Sequence, residues 1–180
     1  MKKFRTLLAL TAAMGLATAA HAADESAQVK SKVEYKKDGG YESSRTAEST
    51  SAAGTTHKSE SNVDVDVDSA GRVEKTVSTE ATTDPKGLMN KKDNMSETHI
   101  EEKARGGYKQ TTTRKFTDAD GTNVTYKTVT DVDVDNNGKV TSTATTEKTV
   151  DPKGLMNEKT TTSKTKMVNG KVVENSKKTD

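Results

Sequence analysis

Two acidic runs, DVDVDSAG at 64–71 and DVDVDNNG at 131–138, have the residue types and spacing that could hold a metal ion. In the second run Asp133, Asp135 and Asn137 offer oxygens at alternate positions, Gly138 follows for a sharp turn, and Val140 comes two residues later. That is the opening of a helix–loop–helix calcium loop. Asp66 and Asp68 are the counterparts in the first run, where Ala70 replaces the third ligand. The glutamate that should close such a loop is missing from both, since Ala144 and Val77 stand in its place. DADG at Asp118–Gly121 is a weaker third candidate. No helical pattern flanks these loops, and an extended chain would spread alternate carboxylates about 7 Å apart instead of gathering them. A solvated acidic face followed by a turn therefore competes with calcium and is favoured over it, so the expected cofactor is none, with calcium as the alternative.

Other chemistry is sparse. His57 and His99 have no histidine or cysteine nearby in sequence to share a metal. No serine sits in a G-x-S-x-G turn, and no glycine-rich phosphate loop appears. The sequence assigns no catalytic residue, and the expectation is a protein that is not an enzyme.

The elements around these runs repeat. Residues 64–90 align without gaps on 131–157, and DPKGLMN recurs unchanged at 84–90 and 151–157. GGY at 39–41 falls on GGY at 106–108. The chain thus divides into a leader (1–22), a first unit (23–98), a second (99–165) and a partial third (166–180), with a period of about 67 residues.

Glycines that suit turns mark each unit, at 40, 54, 71 and 87, then 107, 121, 138 and 154, then 170. Most follow an Asp or a small residue by three places, the pattern of a type I turn closed by a left-handed glycine. The expected turns are Asp68–Gly71, Asp84–Pro85–Gly87, Asp118–Gly121, Asp135–Gly138, Asp151–Pro152–Gly154 and one at Gly170. Proline presets φ in the two DPKG copies, with Leu88–Met89 and Leu155–Met156 expected to begin the next strands. A short helix capped by Asp84 with Pro85 in its first turn is the rival reading there.

Between turns, valines alternate with polar residues. Val63, Val65 and Val67 share one face and Asp64, Asp66 and Asp68 the other, which is the period of a strand with one buried side. A three-residue loop would set Val134 opposite Val140 and Val67 opposite Val73. The stretches 41–50 and 88–103 are weaker, the latter with a partly helical or loop alternative. The fold expected is all-β, an antiparallel up-and-down meander of about ten strands, as an open single- or double-layer sheet or a soluble barrel. A transmembrane barrel lacks the aromatic girdles and outward apolar band it would need.

MKKFR, the apolar stretch after it and AHA at 20–22 form a secretory signal with cleavage before Ala23. Absence of cysteine excludes disulfides, thiol chemistry and a lipidated cysteine. Without Lys2, Lys3 and Arg5 the 29 basic residues fall to 26, against 27 acidic. That balance implies no nucleic-acid partner, and no later segment is apolar enough to cross a membrane as a helix. An exported structural or binding protein of the bacterial periplasm, envelope or exterior follows, which would engage another copy or an envelope protein by strand addition. A periplasmic calcium module and a largely disordered chain that orders on binding are the alternatives.

Overall fold

A computed structural model describes residues 24–87, 91–118, 121–154 and 158–180. The leader, Leu88, Met89, Leu155 and Met156 lie outside the described residues.

The alternation is realised as ten strands: β1 (Asp24–Tyr35), β2 (Tyr41–Ser51), β3 (Thr56–Val67), β4 (Val73–Asp84), β5 (Lys92–Glu102), β6 (Tyr108–Thr117), β7 (Asn123–Val134), β8 (Val140–Asp151), β9 (Lys159–Val168) and β10 (Lys171–Thr179). They form one antiparallel sheet in chain order, a meander that does not close into a barrel. No α-helix occurs among the described residues, and the one helical turn is a 3₁₀ turn at Ala104–Gly106. The stretches expected to be weak are full strands, β2 and β5. Polar strands persist there because neighbours on both sides pair their backbones, and context outweighs propensity in sheets. A shift of 67 residues carries β1–β4 onto β5–β8, so the unit junctions read at 98/99 and 165/166 fall inside β5 and β9.

The turns follow a common plan. In the loops 36–40, 51–55, 68–72, 118–122 and 135–139 the first residue's N–H bonds to the fifth residue's carbonyl, and the fourth residue's N–H bonds back to the first carbonyl. The fourth residue is glycine with φ between 76° and 94°. This is the three-residue hairpin, and it sets Val67 opposite Val73 and Val134 opposite Val140 as the spacing implies. Asn169 and Gly170 both have positive φ (47° and 77°) and make the tighter two-residue turn joining β9 to β10.

At the two GG pairs the turn glycine differs from the one expected. The left-handed members of the two GG pairs are Gly39 and Gly106, not Gly40 and Gly107. The second glycines do something else: a Cβ on Gly40 would stand 2.1 Å from the Val65 carbonyl oxygen, and one on Gly107 2.5 Å from that of Val132. In the DPKG copies Gly87 and Gly154 are left-handed (φ 72° and 71°), as a turn closed by glycine requires, and among the described residues the first pairs across these connections are Thr83–Lys92 and Val150–Lys159. The strand starts expected at Leu88–Met89 and Leu155–Met156 lie outside the described residues.

Residues directly opposite one another in antiparallel strands share a face. Following the register through Val63 gives Ser43 and Val33 on one side, and Val77, Thr98, Thr112, Thr128 and Thr146 on the other. All four tyrosines and Phe116 fall on this same face, where Phe116 stacks on Tyr126 and Tyr35 lies against Tyr41. The buried side chains Ser61, Val63, Val65 and Val124 are here too. They are covered by same-face neighbours, since the extensive contacts of each strand are with its neighbours in the sheet. Arg45 stands opposite Ser61, and its Nε is buried with no hydrogen-bond partner among the described residues. Burying a valine stabilises by about 1.5–3 kcal/mol, so three of them make a thin core. The ladders and cross-strand hydroxyl pairs, such as Thr98–Thr112 and Thr128–Thr146 at 3.2 Å, carry much of the rest.

Candidate functional site

On the opposite face the two acidic runs are each held by one lysine. Gly40 lets the β1–β2 loop press onto the end of β3, and that approach brings Lys36 over the acidic strand. The Lys36 ammonium donates to Asp64 and, at 2.7 Å, to Asp66, and lies 3.5 Å from Glu42. The second unit repeats the arrangement: Gly107 seats the β5–β6 loop, and Lys103 donates to Asp131 and, at 2.9 Å, to Asp133. Hydrogen bonds to Asp64, then Asp66, raise the pKa of Lys36 far above the usual lysine range, and those to Asp131 and Asp133 raise that of Lys103. Lys36 offsets real repulsion, because Glu34 faces Glu42 and Asp66 faces Glu74.

Sequence reasoning missed both lysines, which stand 28–30 residues from their partners. The signal was present: each sits three places before the first glycine of a GGY.

The structure separates the proposed calcium ligands. Asp66 and Asp133 lie on strands and hold the two ammonium groups. Asp68 and Asp135 belong to the following turns. Asp68 accepts from the N–H groups of Ala70 and Arg72 at 2.8 Å and from the Arg72 guanidinium at 2.6 Å. Asp135 accepts from the N–H groups of Asn137 (2.8 Å) and Lys139 (2.9 Å), so Asn137 enters through its backbone. Asp118 accepts from Thr122 N–H in the same way at 3.0 Å. Among the described residues no three His, Cys, Asp or Glu side chains converge as a metal site. His57 meets Thr83, and His99 lies between Thr76 and Glu74. Calcium at about millimolar concentration, where extracellular sites fill, is expected to leave the melting temperature unchanged. A rise of several degrees in thermal denaturation would reinstate an ion at these loops.

The turn aspartates give a sign for the pH dependence. The Arg72 N–H and guanidinium hold the Asp68 carboxyl below its usual pKa, and the Lys139 and Asn137 N–H groups do so for Asp135. A lowered folded-state pKa contributes stability that is present above the unfolded value, about 3.9, and lost as pH falls through the folded value. Lys36 and Lys103 act oppositely: their contribution holds below about pH 10.4 and goes as pH climbs past their raised values. Melting temperature is expected to be flat between these limits and to drop on both sides. Asp68→Asn keeps a turn-forming side chain but removes the titration, and should make the acid-side drop shallower in a pH series of melts.

Compared with protein-family models, curated proteins and solved structures, the chain matches none.

Proposed function

We propose that this chain is an exported, non-enzymatic β-repeat protein with a structural or binding role in the bacterial cell envelope or outside the cell. Its secretory signal directs it to the periplasm or beyond, without a lipid anchor. The observation that carries the reading is one open, duplicated sheet whose edges, β1 and β10, are unpaired among the described residues. Its faces differ: one carries most of the valines and the aromatic rings, the other carboxylates balanced by fixed lysines. A surface of this kind acts passively, by presenting an edge and a face to another copy or to an envelope protein through strand addition, with no role for nucleic acid.

Fractionation of bacteria making the chain tests it. The protein should be recovered from periplasm or medium with Ala23 as its first residue. Recovery in the cytoplasm with the leader intact would overturn the reading.

A further inference from the structure

The two free edges are not equivalent. β10 carries three features that blunt edge pairing. It is short, its register breaks between Val172 and Glu174, and Lys177 lies on the face that holds Val63. A bulge and a charge on the apolar side are devices that keep an edge from templating another strand. β1 has neither over most of its length. Its register is unbroken from Ser26 to Tyr35. On its apolar face stand Val29, Ser31, Val33 and Tyr35, with Val29 56%, Val33 54% and Tyr35 86% exposed.

The backbone of β1 is also poised. The Lys36 N–H bonds to Gly40 across the first hairpin, so alternation turns the N–H and C=O groups of even-numbered residues toward β2. Those of Val29, Ser31, Val33 and Tyr35 point away from the sheet. The same four residues therefore offer both unpaired ladder groups and uncharged side chains.

We propose that β1 pairs antiparallel with β1 of a second copy about a two-fold axis, joining two sheets into one. This rests on the binding-surface reading above and names its edge and its partner. Charge selects the register. With Lys32 facing its own copy on the axis, Lys30 falls opposite Glu34 twice, Val29 opposite Tyr35 twice, and Ser31 opposite Val33. Sliding toward the start of the strand sets Lys30 against Lys32 twice. Sliding the other way sets Lys32 opposite Glu34 twice, but also Lys30 against Lys36 twice and Val29 opposite Lys37, beyond the end of β1. A shift that changes parity sends the valines to the acidic face. The lone Lys32–Lys32 contact is eased because each Lys32 already pairs with Glu34 of its own strand at 2.6 Å.

The chain has no cysteine, so single cysteines report this register directly. Residues 32 would meet as a non-hydrogen-bonded pair with Cα atoms about 4.5 Å apart, inside the disulfide range of about 4.4–6.8 Å. Residues 30 of the two copies would stand about 13 Å apart along the strands. Mild oxidation of the full chain should dimerise Lys32→Cys and leave Lys30→Cys monomeric. Ser31→Pro removes an outward N–H without touching the β2 ladder, and Val33→Lys places a charge on the apolar side. Each should turn the wild-type dimer into a monomer in sedimentation, with an unchanged far-ultraviolet spectrum. Equal cross-linking at 30 and 32, or association that survives both edge variants, overturns the proposal and leaves a binding role standing at some other surface. A wild type that stays monomeric at every concentration also overturns it, while the export reading answers only to fractionation.

Discussion

Gly40→Ala and Gly107→Ala should each lower stability by about 3 kcal/mol, the upper end of what overpacking costs. Neither glycine is left-handed, so the penalty is steric. The new methyl would lie 2.1 Å from the Val65 carbonyl oxygen or 2.5 Å from that of Val132, and backbone cannot rotate aside as a side chain can. The loop must lift, and with it goes the approach of Lys36 or Lys103 to its two aspartates. In a chain of this size the loss corresponds to a melting temperature lower by about 6–12 °C. Gly87→Ala is the comparison. Among the described residues nothing lies within 4 Å of its Cβ position, but its φ of 72° disfavours a side chain, so it should cost about 1 kcal/mol. Since each strand packs mainly on its neighbours, stability is close to a sum of local terms, as in repeat proteins. Gly40→Ala should therefore raise amide exchange in β1–β3 before β6–β8, and Gly107→Ala the reverse. Equal melting temperatures for Gly40→Ala and the wild type would mean that the loop does not press on β3.

Val63→Asp should cost still more, about 3–5 kcal/mol, by leaving an uncompensated charge on the buried face. Val63 is 5% exposed, in the middle of β3, between Ser43 and Val77. One position along, Asp64 is tolerated because it points to the other face and meets Lys36. The same substitution at Val173, 58% exposed and at the break in β10, should change stability by less than about 0.5 kcal/mol. Urea denaturation of the two variants measures the contrast. A Val63→Asp chain as stable as Val173→Asp would mean the valine face does not stabilise the sheet.

Much of this arrangement was legible beforehand because strand pairing here is local. Val134 must face Val140 once Asp135–Gly138 turns in three residues, and the valines must then share a side. Where the reading failed, the cause was an interaction outside the local pattern. Gly40 looked like a turn glycine because its neighbour Gly39 is one; its own role depends on the Val65 carbonyl, a residue of β3. Asp66 and Asp133 looked like free ligands because Lys36 and Lys103 come from a loop two strands away. The strand at 92–102 was ambiguous because its own residues lack an apolar stripe, and it is held by ladders on both sides.

The amino-acid sequence alone determined the repeat, the strand and turn rhythm, and the face on which each valine lies, since period-two alternation and turn length are properties of contiguous residues. Tertiary structure alone decided that the ten strands stay a single open layer. Closure depends on twist accumulated over every strand, which no local segment specifies. It also decided that each acidic run is neutralised by a distant lysine, and that β1 is left as the smooth edge, because these depend on which strands the completed sheet makes neighbours and which it leaves without one.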